Sequence, residues 1–204
     1  MSDSQNGSSL IIMAKPPIAG KVKTRLARGI GDENALVVYR NLLQHTMDVA
    51  QTSALKPEVF ATEKSTYFDE TGFDQHLQSE GDLGDKMDLA CRQMLKSAQK
   101  VVIIGTDCPD ISHKHIDEAN NLLDSHDVVF GPCEDGGYYL LGLKIAHKEL
   151  FENLPWSTES LLKLTLKRCL DAGISTVLLE ELSDVDTIDD LKKSSLWQMF
   201  QHVV

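Results

Sequence analysis

Val101-Val102-Ile103-Ile104-Gly105-Thr106-Asp107-Cys108-Pro109-Asp110 decides the fold. Four consecutive β-branched residues read as a strand buried on both faces, the pattern of a parallel sheet. The strand runs into a carboxylate, and Pro109 stops it because proline cannot donate to a ladder. Asp107 therefore stands just past the C-terminal end of a central strand, where ligands bind in open α/β sheets.

The flanking segments repeat the alternation. Ser9 to Ala14 reads as a first buried strand, and a long helix is predicted from Asp32 to about Ser53. Short strands are expected at Glu58 to Ala61 and near His76-Leu77-Gln78, then a helix over Asp85 to Ala98. After the central strand come a helix over Ser112 to Leu123 and a strand at Val128-Val129-Phe130. Asp135-Gly136 opens a hairpin turn into a strand at Tyr138 to Leu143. A helix over Thr158 to Ala172 ends at Gly173, which fits the C′ position. A strand at Thr176 to Leu179 and a helix opened by Thr187-x-x-Asp190 complete the chain. Strands alternating with helices mean an α/β fold with a largely parallel sheet. With no repeat or linker, one domain over 9–204 is expected, behind a polar, disordered tail at Met1 to Ser8.

The 204 residues carry 20 basic and 31 acidic side chains, a net charge of −11. That balance argues against non-specific binding to nucleic acid or anionic membranes, so no nucleic-acid partner is expected. No run approaches the length of a membrane span. Cys91, Cys108, Cys133 and Cys169 form no C-x-x-C pair, which leaves zinc and thioredoxin-like readings without support. A reducing, cytoplasmic location is the plain expectation. The first residues lack the basic and apolar regions of a signal peptide.

Four loops follow predicted strands. In the first, Lys15, Gly20, Lys21, Lys23, Arg25 and Arg28 form the most basic stretch of an acidic protein. Such cations on a Gly/Pro-bent backbone suit a di- or triphosphate. The loop is not a P-loop, since Lys15 and Val22 stand where Gly and Ser or Thr belong. A solvated basic turn is the bland alternative. The second loop, Gly81-Asp82-Leu83-Gly84, permits close ligand approach and enters a helix, whose N-terminus favours anions. Taken alone, it also reads as a loop ending in a cap. The third is Asp107 itself. The fourth is Asp184-Val185-Asp186, where an extended backbone points both carboxylates to one side. Complementing the next helix dipole is the alternative there.

If Asp107 and Asp184 or Asp186 meet, two carboxylates about 4 Å apart repel by roughly 4 kcal/mol at an effective dielectric near 20. Either one takes a proton or a cation sits between them. Hard oxygens select Mg²⁺ or Mn²⁺, which take one or two carboxylates plus phosphate oxygens. On the acceptor side, Asp135, Gly136 and Gly137 can approach a hydroxylated ligand and Trp156 can stack on a sugar or base. A plain hairpin and a hydrophobic anchor are the competing readings. His113 and His115 lack a nearby carboxylate in sequence and are expected at the surface.

Seven segments in order resemble a known family: Lys15-Pro16-Pro17 with Gly20, Lys23-Thr24-Arg25-Leu26, Gly81-Asp82-Leu83-Gly84 with Met87, Gly105-Thr106-Asp107-Cys108-Pro109, Asp135-Gly136-Gly137-Tyr138-Tyr139-Leu140-Leu141-Gly142-Leu143, Pro155-Trp156-Ser157-Thr158, and Asp184-Val185-Asp186-Thr187 with Asp190-Leu191. The chain resembles the bacterial GT-A-like transferases described as nucleotide-diphospho-sugar or glycosyltransferase-like proteins. More distantly, it is similar to molybdenum-cofactor and phospholactate guanylyltransferases. The resemblance implies a three-layer, Rossmann-like nucleotide-diphospho-sugar transferase (GT-A) fold. It also implies a divalent metal held by Asp107 with Asp186 and Asp184, and phosphates met by Lys15, Lys23 and Arg25. Gln78-Ser79-Glu80 departs from the Gly-rich lead-in of that family, and Lys86 stands where its members often have Arg.

Two activities share these residues. A glycosyltransferase would pass a sugar from a nucleotide-diphospho-sugar to a small acceptor, with Asp107, Lys23 and Arg25 stabilising the leaving diphosphate. A nucleotidyltransferase would attack the α-phosphate of an NTP and release pyrophosphate. A non-catalytic nucleotide-binding protein on the same fold would be expected to lose its acidic residues first, and all three are present.

Overall fold

Seven strands form one sheet: β1 (Ser8–Ala14), β2 (Lys56–Ala61), β3 (Asp74–Leu77), β4 (Lys100–Ile104), β5 (Val128–Pro132), β6 (Tyr138–Leu143) and β7 (Thr176–Leu178). Their order is β3-β2-β1-β4-β6-β5-β7. The computed structural model describes residues 7–203. Most of the expected N-terminal tail therefore lies outside the described residues, but Ser8 already pairs with Lys100. β6 runs antiparallel to β4 and β5, and the other pairings are parallel.

The pleat sorts the core into two layers. Leu10 and Ile12 of β1 face one side, with Val102 and Ile104 of β4 in register beside them. This face is covered by α2 (Asp32–Thr52) and α5 (His113–Leu122), through Tyr39, Leu43, Met47, Ile116 and Ala119. Ile11, Val101 and Ile103 face the other side, under α4 (Leu83–Met94) and α6 (Leu161–Asp171). Alternation along each strand thus supplies both faces of a three-layer α/β architecture, as the β-branched run at 101–104 demands.

A third apolar cluster was not anticipated. The first basic loop ends in a helix, α1 (Thr24–Ile30), and does not continue as a turn. Its seven residues have weak periodicity, and docking of Leu26 and Ile30 holds them. They pack on Ala35, Val38 and Leu42 of α2, on Val185, and on Leu191 of α7 (Ile188–Lys193). Phe200 of α8 (Trp197–Phe200) closes that cluster. A one-turn helix, α3 (Thr66–Asp69), was also not foreseen. Gly31 stands at the N-cap of α2, with Asp32 and Glu33 in its first turn.

The order of the strands locates the site. From β1 the chain builds outward through β2 to β3, then returns to place β4 on the other side of β1. The loops leaving β1 and β4 diverge at this switch point, and a crevice opens between them.

Candidate active site

Asp107 lies just past β4, and a backbone bond fixes what stands opposite. The Val185 N–H donates to the Asp107 carbonyl at 2.9 Å. Val185 is 1% exposed and packs into the third cluster, so its neighbours Asp184 and Asp186 turn toward the crevice. The helix that follows is capped by other groups. Asp190 accepts from the Thr187 N–H at 2.7 Å and its hydroxyl at 2.8 Å, and from the Asp186 N–H at 3.2 Å. The Asp184 and Asp186 carboxylates are not part of that box.

A lysine ammonium lies between two of the carboxylates. Lys23 Nζ is 2.6 Å from Asp107 Oδ1 and 3.0 Å from Asp186 Oδ1, with only 3% of its side chain exposed. Arg25 Nη1 donates to Asp186 Oδ2 at 3.2 Å. Burial alone would push the Lys23 ammonium down, but Asp107 and Asp186 outweigh it and hold its pKa above the ordinary lysine value. Among the described residues Asp184 makes no salt bridge; the Lys23 charge and a hydrogen bond with Cys133 only partly offset its burial. Burial, and then the charge of Asp107, push its carboxyl up to about 7. Both ways of relieving carboxylate repulsion are therefore present: a cation between one pair, and a proton favoured on the third.

Tyr39 of α2 links the two loops. Its hydroxyl donates to the Lys15 carbonyl at 2.8 Å and accepts from the Lys15 N–H at 3.1 Å, while the Thr106 hydroxyl donates to it at 3.4 Å. Tyr39 stands at helical spacing on the buried face of α2. Nothing local marks a tyrosine on a distant helix as a clamp on two strand ends.

The crevice has a volume of about 490 Å³, within the usual range for small-ligand sites. Lys15, Lys23, Arg25, Asp107, Asp135, Gly137, Trp156, Asp184 and Asp186 line it. Gly20, Gly81, Asp82, Gly84 and Gly136 fall outside the lining, where Leu83 and Met87 stand in for the second loop. Asp82 acts as a cap: its Oδ1 accepts from the Asp85 N–H at 3.0 Å, and Asp85 returns the bond to the Asp82 N–H. Gly84 makes room for protein, not ligand. A Cβ there would come within 2.5 Å of the Phe151 carbonyl and 2.6 Å of Trp156 Nε1. Gly136 has φ +84°, and a Cβ on it would run into the Glu159 backbone. Asp135 accepts from the Gly137 N–H at 2.8 Å, which holds the hairpin turn in shape.

Trp156 packs edge-on to Tyr138, ring centroids 6.4 Å apart, on an apolar wall that includes Met87 and Leu161. Among the described residues, Trp156 Nε1 and the Tyr138 hydroxyl are buried without a hydrogen-bond partner. His115 is buried, contrary to expectation. Its Nδ1 accepts from the Ser112 N–H at 2.9 Å and its Nε2 meets Glu180, so its carboxylate partner is distant in sequence.

Among the described residues, no three His, Cys, Asp or Glu side chains converge as a ready metal cage. The donor chemistry nonetheless fits Mg²⁺ or Mn²⁺. Asp107 and Asp186 expose 43% and 39% of their side chains, and a cation already lies within reach of both. Two carboxylates completed by phosphate oxygens is a normal set for these ions.

The strand order, with a crevice at the ends of β1 and β4, is that of the nucleotide-diphospho-sugar transferase fold, and the solved structures that share it are transferases. A protein of Desulfovibrio desulfuricans, provisionally described as a nucleotide-diphospho-sugar transferase, superposes with a TM-score of 0.84 and 25% identity over 96% of this chain and 93% of its own. The chain belongs to the family described as "Uncharacterized protein conserved in bacteria (DUF2064)", which it matches over residues 40–158. That span holds Asp107, Asp135 and Trp156, while the basic loop and Asp184–Asp186 lie outside it. Two further structures share the fold at lower identity. The Rv0371c protein of Mycobacterium tuberculosis, in complex with manganese, has a TM-score of 0.59 at 15% identity, covering 93% of this chain and 98% of its own. The inositol-1-phosphate CTP transferase of T. maritima has a TM-score of 0.59 at 13% identity, covering 98% and 97%. Among curated proteins none matches the chain. No helix among the described residues is long and apolar enough to cross a membrane.

Proposed function

We propose that the protein is a divalent-metal-dependent glycosyltransferase that moves a sugar from a nucleotide-diphospho-sugar to a small hydroxylated acceptor. The observation that carries this is the facing of Lys15, Lys23 and Arg25 against Asp107, Asp184 and Asp186 in one crevice. Cations on one side and hard oxygen donors on the other suit a metal-bound diphosphate. When bound, the ion supplies Lewis-acid stabilisation of the leaving diphosphate. Lys15 and Arg25, both exposed, hold the remaining phosphate charge. Trp156 and Tyr138 offer an apolar wall to a sugar face, and Asp135 receives acceptor hydroxyls. In the reaction the acceptor oxygen bonds to the anomeric carbon, the bond from that carbon to the diphosphate oxygen breaks, and the acceptor proton leaves to solvent at the open mouth. The likeness to the D. desulfuricans protein supports this reading over its alternative.

The alternative is nucleotidyl transfer, in which an acceptor phosphate attacks the α-phosphorus of an NTP and pyrophosphate leaves. The crowding of Lys23 and Arg25 on Asp186 favours it, since a triphosphate has more charge to neutralise. One assay separates the two. The protein is incubated with Mg²⁺ or Mn²⁺, a panel of NTPs and nucleotide sugars, and mixed sugar and sugar-phosphate acceptors. Free nucleoside diphosphate from a nucleotide sugar supports glycosyl transfer, while pyrophosphate from an NTP overturns it. Tight binding with no turnover across the panel supports a non-catalytic nucleotide-binding role instead.

A further inference from the structure

Lys23 adopts φ 46° and ψ 42°, the left-handed conformation that non-glycine residues rarely take. The strain buys a position. Val22 before it is buried, Leu26 after it sits in the third cluster, and between them the Lys23 side chain is driven inward to Asp107 and Asp186. A surface lysine resting on an acidic patch would be neither buried nor held by both flanks.

The charges at this point nearly cancel. Asp107 and Asp186 carry two negative charges, Lys23 and Arg25 bring two positive ones within 3.2 Å, and Asp184 forms no ion pair among the described residues, although the charge of Lys23 reaches it. A divalent ion approaching from the crevice would meet oxygens whose charge is already matched, with an ammonium about 3 Å behind them. At such distances like charges repel strongly unless something compensates. A phosphate supplies that compensation by giving Lys23 and Arg25 a second anion.

We propose that Lys23 is a resident counter-cation that suppresses divalent-ion binding in the ligand-free protein, so that the ion enters together with a phosphate and not before it. This rests on the reading of the site as one for a metal and a phosphate, but its tests need no nucleotide. The first is Mn²⁺ titration of the nucleotide-free protein, followed by electron paramagnetic resonance. Lys23→Met should bind Mn²⁺ about tenfold tighter than wild type or better, whereas Lys23→Arg, which keeps the charge, should not. Equal affinity of Lys23→Met and wild type would overturn the proposal.

A second measurement covers the case in which Lys23→Met does not fold. In wild-type protein the buried ammonium should give a protected ¹⁵N resonance that survives millimolar Mg²⁺ alone. Loss of that resonance at micromolar Mg²⁺ would overturn the proposal. If both measurements succeed and no nucleotide binds with the ion, the counter-cation stands and the nucleotide reading falls.

Discussion

The Val185 N–H and the Asp107 carbonyl, 2.9 Å apart, join two loops that are far apart in the chain. One leaves the central strand β4 and the other leads into α7. Because Val185 is also an apolar plug in the third cluster, docking of that cluster sets where Asp184 and Asp186 stand relative to Asp107. Lys23 arrives through the same cluster, at the N-cap of α1. Lys23 and Asp186 are therefore placed by one small core beside the sheet, and Asp107 by the end of β4.

Asp107 is the carboxylate nearest Lys23 and the one fixed most directly to the sheet. Asp107→Asn keeps the shape and removes the charge. It should lower kcat/KM by about 10²–10³, the loss typical of one transition-state stabiliser, and weaken dependence on added Mg²⁺ or Mn²⁺. Steady-state rates across a metal titration test it. Full activity with unchanged metal dependence would remove Asp107 from the mechanism.

What could be read from the chain and what could not divide along a physical line. The run Val101 to Ile104 gave its strand, its burial and the place of Asp107, because period and composition are local. The Thr187 and Asp190 capping box was equally local and is present. The Lys23 pairing with Asp186 spans 163 residues, and no local pattern encodes it. The helix α1 was missed because Thr-Arg-Leu-Ala-Arg-Gly-Ile has too few apolar positions to show a period, and it stands only by docking Leu26 and Ile30. Gly84 was read as space for a ligand, yet the space is filled by Trp156, a contact between residues 72 positions apart. His115 was placed at the surface because Glu180, its partner, was out of sequence range.

Asp184 should make the metal-free protein's stability depend on pH. Its folded pKa, about 7, lies above the ordinary value of 3.8. Between those values the folded protein holds a proton that the unfolded chain has released. The stabilising contribution is complete below about pH 4, falls as pH rises, and is lost above about pH 7. Asp184→Asn cannot ionise, so at about pH 8 it should be more stable than wild type by roughly 1–4 kcal/mol. The gap should close toward about pH 4. Urea unfolding with chelator present measures both ends, and an equal gap at the two pH values would contradict the assignment.

Tyr39→Phe removes one oxygen and leaves the Lys15 N–H and carbonyl without their shared partner. Part-buried backbone groups so orphaned cost about 1–3 kcal/mol. Because Lys15 opens the basic loop, the variant should also raise KM for the phosphate-bearing substrate more than it lowers kcat. Denaturant midpoints and a KM-against-kcat comparison test the two effects separately. Unchanged KM alongside lost stability would make Tyr39 a core residue only.

Trp156 offers an optical test of the acceptor wall. The chain has two tryptophans, Trp156 and Trp197, so Trp197→Phe leaves emission from the crevice alone. A sugar stacked on that wall should change this emission on titration, while inorganic phosphate, held at the basic loop, should leave it nearly constant. Gly84→Ala in the same background places a methyl where the Phe151 carbonyl and the Trp156 ring already lie. Overpacking of this kind costs about 1–3 kcal/mol, and the ring, not the backbone of Phe151, is the part free to yield. The variant should shift Trp156 emission to longer wavelength and weaken its response to sugar, while phosphate affinity measured by calorimetry stays unchanged. A Gly84→Ala protein with unaltered emission and sugar response would show that Gly84 does not set the position of Trp156.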